Sequence, residues 1–280
     1  MPQPKLLVFD VDGTLLGSDG TMSGATRIAL SRAADAGIRL LPATGRRYGR
    51  ALEAVEGLPL DGAIVSGGGA LVKRPHDHHT LRLHAFPDDT LRAVLRLVDE
   101  LGFQPVLCAD TFLQGFEFYV PSTETDCPTL REFLIRNEGS GRVAPDMIAQ
   151  PPADVFTSYI MGTREVLREA EATLHDRMPG RLYMNVLFSP NCQGFVCEIS
   201  AAGISKWEAI RWLADRWDIA DEDICAVGDD VNDREMIAAA GLGIAMGNAI
   251  ESVKQSAARI APGHDEDGLA EVVRWVLQAS

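Results

Sequence analysis

Short apolar runs that stop at polar turns and lead into amphipathic helical stretches fill both ends of this chain, while its middle keeps a different rhythm. Near the N-terminus, Leu6, Leu7, Val8 and Phe9 make a strand-sized run that ends at Asp10-Val11-Asp12-Gly13-Thr14, where Gly13 permits a tight turn. Ser23 then reads as the N-cap of a helix to about residue 36, with Gly37 as its stop. Residues 38–43 supply the next strand, closed by Thr44-Gly45-Arg46. A helix over about 48–56 follows, and a third strand over 61–66 precedes Gly67-Gly68-Gly69. Strands alternating with helices in this way predict an α/β fold with a parallel, doubly wound sheet.

From about residue 84 the pattern changes. Leu91, Val94, Leu95, Val98 and Leu101 recur at helical spacing, and strand-like runs follow over 103–108 and 115–120. A helix near 129–137, a strand over 155–161, a helix carrying Val166, Leu167, Ala170 and Leu174, and strands over 182–188 and 195–199 come next. Two helix-strand-strand units with material between them predict an α+β insert over residues 84–191. After Gly203 the alternation returns, with helices over 206–217, 233–240 and 268–278 and strands over 224–227, 243–246 and 259–261. The last helix puts Leu269, Val272, Val273 and Val276 on one side. One core built from residues 1–83 and 192–280, hinged to the insert near residues 83 and 191, is the expected organisation.

The 280 residues are 46% hydrophobic, enough to fill real cores. With 40 acidic against 26 basic residues the net charge is -14, which argues against nucleic acid or an anionic membrane as the partner. No apolar run approaches the roughly 18 to 20 residues of a membrane span, and Lys5 leads straight into the first strand without signal-peptide anatomy. Cys108, Cys127, Cys192, Cys197 and Cys225 form no CxxC pair, and an odd count suits a reducing compartment. A soluble cytoplasmic protein is expected.

Four separated signals carry chemistry. Asp10 and Asp12 place two carboxylates two residues apart at a strand end, where one can attack and the other handle a proton; a plain turn or a generic divalent-metal site is the blander reading. Thr44-Gly45-Arg46 offers a hydroxyl and backbone N–H groups to an anion, although a Thr-Gly turn alone is common. Lys206 opens a helix, where its charge opposes the helix dipole, so an anion rather than the helix accounts for it; a solvated lysine is the alternative. Asp229-Asp230-Val231-Asn232-Asp233 crowds three carboxylates and an amide at a strand end, a hard-oxygen set that suits Mg²⁺ unless it is merely an acidic loop. The Asp77 stretch with His76, His78 and His79 reads as a solvated loop, the four tryptophans as packing residues, and Gly67–Gly69 lacks the Lys-Ser/Thr of a phosphate loop.

In this order, each beside an expected strand or helix start, DVDGTL, ATGR, the lysine and GDDVND resemble the motifs of haloacid dehalogenase phosphatases. Ala245-Met246-Gly247-Asn248-Ala249 and the later Asp267-Gly268 resemble the Cof-type subgroup. The resemblance covers about 4–83 and 192–278, and the insert is similar in position, size and element order to a C2 cap of the B variety. It implies that Asp10 is a nucleophile that becomes phosphorylated and that Asp12 is the general acid, then the base. It implies that Thr44, with Gly45 and Arg46 beside it, Lys206 and Asn232 bind the phosphoryl group. Mg²⁺ would be held by Asp10, the backbone carbonyl of Asp12, and Asp229, with Asp233 as an outer carboxylate that also fixes Lys206; Asp230 is left out. The implied activity is Mg²⁺-dependent hydrolysis of a small phosphate ester, a sugar phosphate or similar metabolite, by a monomer or homodimer. A phosphotransferase or mutase on the same scaffold and a catalytically idle binding protein are the alternatives.

Overall fold

A computed structural model describes residues 3–60, 62–189 and 192–278. The first segment carries β1 (Leu6–Phe9), α1 (Gly24–Asp35), β2 (Arg39–Pro42), α2 (Tyr48–Ala54), β3 (Ile64–Ser66), β4 (Leu71–Lys73) and β5 (Thr80–Leu83). The middle carries α3 (Asp88–Glu100), β6 (Val106–Ala109), β7 (Phe118–Val120), α4 (Pro128–Arg136), β8 (Gly141–Val143), β9 (Val155–Gly162), α5 (Arg164–Arg177), β10 (Leu182–Ser189) and β11 (Gly194–Ala201). The last segment carries α6 (Lys206–Arg216), β12 (Ile224–Gly228), α7 (Arg234–Ala239), β13 (Leu242–Ala245), α8 (Glu251–Lys254), β14 (Arg259–Ile260) and α9 (Gly268–Gln278).

The chain divides into two compact units, one made of the residues up to Arg82 and from Ser205 onward, the other of Leu83–Ile204. In the first unit five parallel strands run in the order β14-β13-β12-β1-β2. All four residues of β1 are buried, as a strand at the centre of a sheet covered on both faces requires. Leu6 and Val8 join Ala209, Ile210 and Leu213 of α6 and Met236 and Ile237 of α7 in one apolar cluster. Period-two alternation turns the equally buried Leu7 and Phe9 to the opposite face. Ser23 caps α1 by accepting from the Thr26 N–H at 3.0 Å, and Gly37 ends that turn at φ 85°.

The third expected strand begins at Ile64, and Asp61 lies outside the described residues. It does not extend the parallel sheet. Apart from one bridge between Ala43 and Val65, β3 belongs to a separate three-stranded sheet, β3-β4-β5. Gly67, Gly68 and Gly69 all have positive φ and fold the chain back so that β3 pairs antiparallel with β4. At Gly69 even a methyl group would come within 2.1 Å of the Ser205 carbonyl oxygen, so this turn seats the start of α6. The histidine stretch is the connection between β4 and β5, with the Tyr48 hydroxyl 2.9 Å from His78 Nδ1.

The second unit is an α+β body with a six-stranded sheet in the order β10-β11-β9-β6-β7-β8. Its limit differs from the expected 191. The run 195–199, which completes the second helix-strand-strand unit expected above, is β11; it pairs along eight residues with β10 and on its other side with β9, which carries the unit through Ile204. Three-residue β8 is too short to leave a pattern in the sequence. All five cysteines are free, and all but Cys127 are buried. Among the described residues no helix is long and apolar enough to cross a membrane.

Candidate active site

Parallel register decides which side chains meet. Phe9 stands opposite Pro42 on one side and Val227 on the other, so the residues that follow each strand emerge together at one carboxyl edge. Those residues are Asp10, Ala43-Thr44 and Gly228-Asp229, and the edge is where open α/β sheets place their ligands. Asp10 is anchored there by its N–H, which donates to the Val227 carbonyl at 3.0 Å. Ser205 caps α6 by accepting from the Glu208 N–H at 3.2 Å, which sets Lys206 in the first turn.

The Lys206 ammonium is buried and donates to Asp10 Oδ1 at 2.5 Å and to Asp233 Oδ1 at 2.6 Å. The anion demanded by a lysine at a helix start is therefore a pair of carboxylates. Asp233 uses its other oxygen to accept from the Asp229 and Asp230 N–H groups at 2.9 and 3.1 Å. Two glycines make this closeness possible: a methyl group on Gly228 would lie 2.4 Å from the Asp233 carboxyl carbon, and one on Gly13 would lie 2.3 Å from Asp229 Oδ2.

Asp10, Asp229 and Asp233 each bring a carboxylate oxygen within 4.8 Å of the others. At that spacing each ionised pair repels by roughly 3 kcal/mol at an effective dielectric near 20. Three carboxylates against one ammonium leave an excess of two negative charges, so the donor set fits a hard divalent cation. The electrostatics agree. Burial pushes Asp10 well above the usual carboxylate range although Lys206 opposes the shift, and burial followed by the Asp233 charge pushes Asp229 up to about 7. Burial alone would pull Lys206 down, but Asp10 and Asp233 outweigh it and hold the ammonium above its ordinary value.

The carboxyl of Asp229 titrates near 3.9 in the unfolded chain and at about 7 in the folded, cation-free protein, so the folded state holds the extra proton. Cation-free stability falls as pH rises from about 4 to about 7, by roughly 4 kcal/mol through Asp229 alone. A divalent cation bound by these carboxylates would take the proton's place, so the rise in melting temperature from MgCl₂ over EDTA should be small at about pH 5 and large at about pH 8. An increment independent of pH would contradict the assignment.

The remaining expected residues lie around this group. Thr44 is buried, its N–H donating to the Val65 carbonyl at 2.9 Å and its Oγ1 accepting from the Arg46 N–H at 3.1 Å. The amide nitrogen of Asn232 sits 3.7 Å from the position a Gly45 side chain would take. Asp230 caps the following turn by accepting from the Val231 N–H at 2.7 Å, a structural use of that carboxylate. The Asp12 carboxylate is not part of the three-carboxylate group; it is 60% exposed and held by the Arg46 guanidinium through two bonds, 2.8 and 2.6 Å long. Sequence reasoning missed that pairing. It also gave no role to Thr14, whose hydroxyl donates to Asp229 Oδ1 at 3.2 Å, nor to Asn248, although the stretch around Asn248 stood out.

Residues 7–273 match the family model of the haloacid dehalogenase-like hydrolases. The chain is 29% identical to the 5-amino-6-(5-phospho-D-ribitylamino)uracil phosphatase YitU of Bacillus subtilis, over 97% of each protein. It is likewise 29% identical to the HMP-PP phosphatase of Yersinia pseudotuberculosis, over 90% of this chain and 86% of that one. A haloacid dehalogenase-like hydrolase of Bacteroides thetaiotaomicron superimposes with a TM-score of 0.81 at 27% identity, covering 98% of this chain and 99% of the other. A strand-edge cluster of this kind, inside a fold shared over nearly the whole length of such proteins, makes the chain a phosphoric monoester hydrolase that belongs to the haloacid dehalogenase-like hydrolase family.

Proposed function

We propose that the chain hydrolyses small phosphorylated metabolites in a Mg²⁺-dependent reaction that passes through a phosphorylated Asp10. The observation that carries this reading is the buried Asp10 carboxylate, bonded to Lys206 at 2.5 Å and within 4.8 Å of the Asp229 and Asp233 oxygens. In this reading an Asp10 oxygen attacks phosphorus in line with the leaving oxygen. The bond from phosphorus to that oxygen breaks, and Asp12 gives the leaving oxygen a proton. Asp12 then takes a proton from the water that attacks the aspartyl-phosphate, and inorganic phosphate leaves with Asp10 restored.

The two carboxylates stand in different environments: Asp10 is buried and bonded to Lys206, while Asp12 is exposed with both oxygens accepting from Arg46, a pairing that opens in this reading when Asp12 exchanges a proton with the leaving oxygen or water. Thr44, Gly45, Lys206 and Asn232 hold the phosphoryl oxygens, and Arg46 adds positive charge beside them. Asp10, Asp229 and the Asp12 carbonyl would hold Mg²⁺, with Asp233 tethering Lys206. When bound, the ion supplies the positive charge that lets a carboxylate approach a phosphate dianion.

The two relatives are named for 5-amino-6-(5-phospho-D-ribitylamino)uracil and HMP-PP. They support a small phosphorylated metabolite, rather than a phosphoprotein, as the substrate class here. A panel of phosphorylated metabolites and p-nitrophenyl phosphate, assayed for phosphate release with MgCl₂ and with EDTA, tests the reading. Release that needs Mg²⁺ is expected. No release from any member would sink it, and transfer to an acceptor sugar instead of water would favour a phosphotransferase.

A further inference from the structure

Asn248 follows β13 in the Ala245–Ala249 stretch and has no part in the scheme above. One end of its amide meets two acceptors: Nδ2 donates to the Gly13 carbonyl at 2.9 Å and to Asp229 Oδ2 at 3.3 Å. The other end meets a donor, with Oδ1 accepting from the His264 N–H at 2.9 Å. Acceptors on one side and a donor on the other decide the orientation of the amide from its partners. The side chain thus ties together the turn after β1, the turn after β12 and the turn that leads into α9.

Asp229 is gripped from all sides in consequence. Its carbonyl accepts from the Ile250 N–H at 3.1 Å, Thr14 donates to one carboxylate oxygen at 3.2 Å, and Asn248 donates to the other. Both side-chain donors are neutral. A lysine or arginine at 248 would orient Asp229 equally well but would offset the excess negative charge that a divalent cation needs. A neutral amide aims the ligand and leaves its charge intact, which is how outer partners tune metal sites.

We infer that Asn248 is a positioning residue for the cation site, presetting Asp229 and the Gly13 turn so that the ion binds without reorganising them. This rests on the reading given under Proposed function. The test is calorimetric titration of MgCl₂ into the wild type and Asn248→Ala, without substrate, paired with melting curves of both in EDTA and in Mg²⁺. Affinity for Mg²⁺ should fall about 10- to 100-fold in the variant. The melting increment from a fixed Mg²⁺ concentration should shrink, and kcat and KM at saturating Mg²⁺ should stay within about twofold of the wild type. A residue that merely braces the fold would lower the EDTA melting temperature and leave the Mg²⁺ affinity unchanged, and that outcome overturns the inference. Asn248→Ser serves the same comparison if the alanine variant does not fold. Failure of the wild type to bind Mg²⁺ would overturn this inference together with the functional reading, whereas equal affinities in wild type and variant overturn the inference alone.

Discussion

Asp10→Asn should lower kcat by about 10⁴- to 10⁶-fold while leaving the cation-free protein at least as stable as the wild type. The two halves of this result have one cause. An amide cannot displace a leaving oxygen from phosphorus, so the covalent step is lost. The same replacement removes a carboxylate that burial disfavours and that Asp229 and Asp233 repel, and it leaves Lys206 bonded to Asp233 at 2.6 Å. Steady-state kinetics and urea unfolding in EDTA read the two effects separately. Substantial turnover in the variant would remove Asp10 as nucleophile. A large stability loss would mean that the Lys206 bond outweighs the repulsion.

Lys206→Met carries the second large effect, with the stability term reversed. Methionine fills much of the same space, but two buried carboxylates lose the one ammonium bonded to both. Breaking a buried ion pair by removing one partner costs about 3 to 5 kcal/mol. Activity should fall as well, by about 10²- to 10³-fold, as when one fixed donor is taken from a developing charge. Because the damage comes from unpaired Asp10 and Asp233, the double variant Asp10→Asn/Lys206→Met should be more stable than Lys206→Met alone. Additive losses in that cycle would show that the two residues are not coupled.

The parts of the site that could be read from the sequence are those in which residue type and local element agree. Asp10 and Asp229 each follow an apolar run, and Lys206 opens a helix against its dipole; each oddity needed an explanation, and the fold supplies the same one for all three. Asn248 and Thr14 gave no such sign, because a neutral side chain in a turn breaks no local rule and gains meaning only from the loop it reaches. The Arg46–Asp12 pair depends on the register between β1 and β2, which no local pattern prints.

The same divide runs through the fold. The α/β alternation is visible because the inner strands β1 and β12 are buried on both faces and so read as short continuous apolar runs, a pattern that survives in a single sequence. The insert runs past residue 191 because β11 is held by pairing over eight residues with β10, a partnership between strands that no local pattern shows. β4 and β5 leave no sign in the sequence because strands of three or four residues beside a run of polar histidines carry too few positions to show a period.

The placement of β1 between β2 and β12 also bears on how the chain is made. One lateral neighbour is produced almost at once, the other only after Ile224 has been synthesised. At about 5 to 20 residues per second, the first strand waits on the order of ten to forty seconds with one row of N–H and C=O groups unclaimed. Through that interval an apolar four-residue edge is open to any passing strand, so crowded or accelerated expression should cost yield through aggregation of unfinished chains, not through weakness in the finished one.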